Sequence, residues 1–93
     1  MVSRCMATCE GRHNIPQAVD GAVFPMEILD PTNGAALEAT AKAKLQGVDS
    51  LSLYVTGFTP ATLAIVKVCR EMGISLVCFH YDRETSSYWP QAM

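Results

Sequence analysis

Residues 50–79 spell out a strand, a helix and a second strand in immediate succession, and no other stretch limits the fold so strongly. From Ser50 to Thr56, Leu51, Leu53 and Val55 alternate with polar or amphipathic partners, the period of two expected of a strand. Gly57, Phe58, Thr59 and Pro60 then turn the chain into a helix. Thr59 suits the N-cap, and Pro60 suits the first helical position, where its missing N–H costs nothing. Leu63, Val66 and Cys69 recur at helical spacing, and Gly73 stands where a left-handed C-terminal cap is wanted. Ile74 to Phe79 is nearly unbroken in apolar residues, as a strand buried on both faces would be. Such a βαβ unit pairs its strands in parallel, with a right-handed crossover.

The same grammar extends upstream. Asp30 and Pro31 make a cap and first-turn pair, residues 35–46 are rich in helix formers with Leu37, Ala41 and Leu45 on one stripe, and Gly47 closes the segment. Val2 to Cys9 reads as a strand with Cys5, Ala7 and Cys9 on one face and Met6 and Thr8 on the other. Between Glu10 and Leu29 the chain is irregular apart from a short strand at Ala22 to Phe24, and a connection this long usually has a function. Asp82 to Ser87 is turn-like, and Tyr88 and Trp89 return as a short antiparallel edge strand that Pro90 stops. At 93 residues, 49% hydrophobic and 17% charged, residues 1–93 are expected to form one small α/β domain. Its sheet is mainly parallel, of three to four strands flanked by two helices, with an antiparallel C-terminal edge strand.

Charge and cysteine usage narrow the functional classes. Seven Lys and Arg against nine Asp and Glu leave a net charge of −2, so no diffuse positive field exists to hold long DNA or RNA. Cys5, Cys9, Cys69 and Cys78 lie in apolar stretches without the paired spacing of a zinc site or thioredoxin motif, so buried reduced thiols are expected. No apolar run has the length of a signal-peptide core or of a membrane span. The expectation is a cytoplasmic protein that needs no cofactor and contacts no membrane. A domain this small buries only about 60 to 65% of its unfolded surface, which a dimer would improve.

The carboxyl ends of parallel strands form one rim, and ligands of open α/β sheets bind in the crevice outside it. Three polar turns should meet there: Gly11, Arg12, His13 and Asn14; Thr56, Gly57, Phe58 and Thr59; and His80, Tyr81, Asp82 and Arg83. The turn after Thr56 opens a helix, whose free N–H groups favour an anion, with Gly57 allowing close approach and Thr56 and Thr59 adding hydroxyls. Arg12 offers a planar fork to phosphate, and His13 or His80 can move a proton near neutral pH. Arg83 is a further candidate ligand contact, and Phe58, Tyr54, Tyr81, Tyr88 and Trp89 offer faces for a nucleobase. With only two histidines and Asp82 the sole acid near them, no metal site is expected.

Leu51 to Ala61, the helix after it and Val77 to Glu84 resemble the strand, Gly/Thr turn, helix and strand of small CRISPR-associated Rossmann-like proteins. That group includes the CARF sensor domains and the compact ring nucleases that bind cyclic oligoadenylate. The resemblance covers about residues 48–84. It implies a Rossmann-like homodimer whose two carboxyl-end crevices face one another around a ring of nucleotides. It further implies cleavage without metal, a ribose 2′-OH attacking the adjacent phosphate, with Thr56, Gly57 and Thr59 as the phosphate contacts. Two features depart from the family: no lysine stands in the three turns, and residues 85–93 are not expected to supply a sensor's effector domain, so the expectation is a stand-alone binder or nuclease rather than a sensor.

The expected function is therefore binding of a small phosphate-bearing ligand such as a cyclic oligonucleotide at the rim, with metal-independent cleavage as the reaction such a site could perform. Arg12, His13 and His80 would be catalytic; Gly11, Thr56, Gly57, Phe58, Thr59 and Arg83 would bind. The alternative is a non-enzymatic interaction module that docks through Tyr88, Trp89 and the edge strand beside them. Thiol chemistry at Cys5 and Cys9 is a third expectation, resting on spacing alone.

Overall fold

A computed structural model describes residues 1–11, 14–25, 32–56 and 58–93. The elements in chain order are β1 (Ser3–Cys9), β2 (Ala22–Phe24), α1 (Gly34–Lys44), β3 (Ser50–Tyr54), α2 (Thr59–Met72), β4 (Ser75–Asp82) and β5 (Ser87–Ala92). They build a five-stranded sheet of order β2-β1-β3-β4-β5, parallel except for the antiparallel pair β4 and β5. This is the small α/β, Rossmann-like domain expected: four parallel strands, two helices and an antiparallel C-terminal edge strand.

Handedness decides which face each connection covers. The chain steps from β1 to β2 in one direction across the sheet, then from β2 to β3 and from β3 to β4 in the other. Right-handed crossovers running in opposite directions lie on opposite faces, so α1 and α2 share one face and the helix-free connection after β1 lies on the other. The cores agree. Leu37 and Ala41 of α1, Leu45 at its C-cap, and Ile65, Val68 and Cys69 of α2 pack with Met6, Leu51, Leu53, Leu76 and Cys78 in one cluster. Across the sheet, Ile15 packs with Ala7 and Ala22, and Ala18, Tyr54 and Tyr88 join them. The helices are tied side by side by Lys67–Glu38 at 3.1 Å and Lys42–Glu71 at 3.7 Å.

Several local expectations are corrected. In β4 the helix-facing Leu76 and Cys78 are buried, but Val77 and Phe79 on the other face are only half-buried, because no helix covers that side. Helix α1 starts after Asn33, whose Oδ1 accepts the Ala36 N–H at 3.1 Å; Asp30 and Pro31 lie outside the described residues. In α2 the N-cap is Phe58, with φ −96° and ψ 92°, and Thr59 is the first helical residue. Pro60 still falls in the first turn, where no N–H is missed. Gly73 closes α2 at φ +70°, as expected, and Ile74 donates its N–H to the Cys69 carbonyl at 2.8 Å.

The C-terminal strand does not stop at Pro90. Met93 donates its N–H to the Leu76 carbonyl at 3.0 Å, which makes that facing pair hydrogen-bonded and fixes the alternation along β5. Gln91, Trp89 and Ser87 therefore bond to β4, whereas Tyr88, Pro90 and Ala92 turn their backbone toward the free edge. Pro90 lacks its N–H at a position where β4 asks for none, so the strand runs through it.

Candidate ligand cleft

The carboxyl ends of β3 and β4 open into a cleft of about 940 Å³ on the face away from the helices. The connection after β1 contributes Asn14, Pro16 and Gln17 to its wall. Val55, just beyond β3, and Phe79, His80 and Tyr81 from β4 form the floor and one side, and Ser86, Ser87 and Tyr88 of the returning hairpin close the other. A cleft of this size, set at the rim where α/β sheets take their ligands, holds a small organic molecule.

A row of aromatic rings defines the floor. The register places Tyr54 beside Phe79 and Tyr81 opposite Tyr88, and the period of two sends all four rings to the helix-free face. Tyr54 stacks on Phe79 with centroids 4.7 Å apart, and Tyr88 meets Tyr54 and Tyr81 edge-on at 5.1 and 5.3 Å. Burial, with the neighbouring Tyr81 and Tyr54, pushes the Tyr88 phenol up, so its hydroxyl stays neutral and able to donate.

The expected site residues do not all converge. His80 belongs to the cleft wall, but its register partner is Trp89, so its ring points to the helix-bearing face. There it lies 4.6 Å from the Trp89 ring, and its Nε2 shares a 2.8 Å hydrogen bond with Gln91 Oε1. Thr56 is buried and turned into the fold: its Oγ1 accepts the Cys9 N–H at 3.3 Å, while its own N–H donates to Thr8 Oγ1 at 3.4 Å. Phe58 is half-buried against the core beneath α2, and Thr59 is exposed at the start of that helix. Neither lines the cleft.

Gly11 borders a smaller pocket of about 210 Å³ under the β1–β2 connection, with Asn14 common to both cavities. Arg83 is exposed in the hairpin turn, where Asp82 Oδ1 accepts the Glu84 N–H at 2.9 Å and Ser86 takes φ +53°. Arg12, His13 and Gly57 lie outside the described residues. Phe79, Gln17, Ser86 and Ser87 were not singled out from the sequence. The signal for Phe79 was its period-two relation to Tyr81.

None of the four cysteines is in a disulfide; Cys9, Cys69 and Cys78 are buried and Cys5 is half-buried. Burial, with Cys78 adding to it, pushes Cys69 up to about 11, and burial raises Cys78 as well. Neither is a ready thiolate nucleophile at neutral pH. Among the described residues no three His, Cys, Asp or Glu side chains stand close enough to hold a metal ion. No described helix is long and apolar enough to cross a membrane. Comparison with protein families, with curated proteins and with solved structures gave no match for this chain.

Proposed function

We propose that the protein binds a small phosphate-bearing ligand of the nucleotide class in the cleft at the carboxyl ends of β3 and β4. The observation that carries this reading is the 940 Å³ cleft itself, in which a preassembled row of aromatic rings faces neutral hydrogen-bonding groups. Aromatic faces receive a base by stacking, and amides and hydroxyls can bond its edge and its sugar. A cyclic oligonucleotide bridging two such clefts in a homodimer is the form of ligand suggested by the family resemblance.

Metal-independent cleavage belongs to the same proposal and falls to Arg12 and His13, which adjoin the cleft residue Asn14 in sequence, because the His80 ring is engaged on the opposite face. The reading in which β5 docks a partner strand is the weaker one: Pro90 removes the central donor from the free edge.

The test is to incubate the pure protein with mononucleotides, dinucleotides and cyclic oligoadenylates. Thermal shift is followed in each case, together with product release in the presence of a chelator. A saturable shift with at least one of these supports binding, and linear products formed in the chelator support cleavage. No shift with any of them ends the proposal.

A further inference from the structure

The described residues that line the cleft include no Lys, Arg, Asp or Glu. What they present is a braced aromatic floor and neutral groups that both donate and accept: the amides of Asn14 and Gln17, the hydroxyl of Ser86, and the tyrosine phenols. Tyr81 is 53% exposed even with Tyr88 against it, whereas Tyr54 is enclosed by Phe79 and Tyr88. The free stacking surface is thus Tyr81, at the mouth of the row. Resting on the proposed function, we infer that this cleft receives the neutral heterocyclic ring of the ligand, stacked on Tyr81 with its edge met by Asn14 and Gln17, and that the phosphate remains outside it.

A described lining without Lys or Arg repays little for desolvating a phosphate dianion, which would lose its water without gaining a cation from these residues. A flat, polar-edged ring loses little on entry and finds its partners already placed. Because the row is held by its own ring contacts, few side chains need to be ordered on binding.

The test compares nucleosides (adenosine, guanosine, cytidine and uridine) with their 5′-monophosphates, ribose 5-phosphate and pyrophosphate by titration calorimetry. At least one nucleoside is expected to bind within about tenfold of its monophosphate, and ribose 5-phosphate is expected not to displace it. Tyr81→Ala should weaken that nucleoside by about tenfold or more, since stacking carries much of the affinity, while Tyr81→Phe stays within about threefold. If ribose 5-phosphate or pyrophosphate binds as tightly as the monophosphates and no nucleoside binds, this inference falls and the proposed function stands. If no member of the panel binds, both fall. Nucleoside binding that Tyr81→Ala leaves unchanged in a folded variant also overturns the inference.

Discussion

Tyr54 and Phe79 sit side by side on the parallel strands β3 and β4 and stack with planes 11° from parallel, which makes the pair the structural base of the aromatic row. Tyr88 then leans edge-on against both Tyr54 and Tyr81, so this stack is one of the supports beneath the cleft floor. Removing the lower ring withdraws both the stacking term and the apolar area of a half-buried phenyl group. Phe79→Ala should lower unfolding free energy by about 2 to 3 kcal/mol in urea titration, and Phe79→Leu by about half as much. A loss below about 0.5 kcal/mol would mean that the row is not held from beneath.

Thr56 separates a structural role from a binding one. Its hydroxyl accepts the N–H of Cys9 inside the fold, so Thr56→Val keeps the shape and removes that buried hydrogen bond. The expected cost is about 0.5 to 1.5 kcal/mol of stability, recovered in large part by Thr56→Ser. Affinity for any ligand of the cleft should stay within about threefold, under 1 kcal/mol, once the variant is measured well below its melting point. Intact stability together with lost affinity would return Thr56 to the ligand-contact role suggested by its place after the strand.

How much could be read in advance depended on the range of the forces involved. Residues 50–79 were legible because period, cap and glycine signals are local, and the αL turn at Gly73 needs no distant partner. The inward turn of Thr56 was not legible, because the backbone group it satisfies lies 47 residues away. The same holds for the uncovered face of β4. An apolar run states that a strand is buried, but strand order and crossover handedness decide on how many sides, and here the order turns on where β2 pairs. His80 lies within β4, which runs on to Asp82, and borders the cleft there. Its ring went to the other face through its pairing with Trp89, which depends on the hairpin register.

Alkaline pH should weaken the fold through groups that it keeps neutral. Burial pushes Cys69 from its ordinary 9.0 up to about 11, with Cys78 adding to it, and Cys78 and Tyr88 are raised by the same cause. An unfolded thiol releases its proton first, so the stability due to Cys69 is complete below pH 9 and is lost as pH climbs toward 11. Urea midpoints measured in reductant from pH 8 upward should fall through this window. Cys69→Ala should flatten the fall, and an unchanged slope in that variant would show that other groups control it.

Ser86 is the one described non-glycine residue with positive φ, +53°, at the last position of the turn before β5. A side chain there crowds its own backbone, and glycine relieves the crowding while giving back part of the gain through a more flexible unfolded chain. Ser86→Gly should therefore raise stability by about 0.5 to 1 kcal/mol, read as a higher denaturant midpoint with an unchanged slope. A loss of stability would show that the Ser86 hydroxyl contributes more to the hairpin than its backbone strain costs.

Pro90 raises the remaining question of what keeps a five-stranded sheet from adding strands at its end. On β5 only Tyr88, Pro90 and Ala92 turn their backbone outward, and proline at the centre of the three leaves two donors separated by a gap. A second strand seeking to pair there would meet a missing hydrogen bond and a ring in its path. Pro90→Thr restores the donor without disturbing the bonds to β4, and threonine suits a strand. The variant should fold at least as stably yet shift toward larger species on size-exclusion chromatography as its concentration rises. If Pro90→Thr and the parent chain elute alike at every concentration, the edge must be shielded by something other than the proline, and the exposed Trp89 beside it becomes the residue to substitute next.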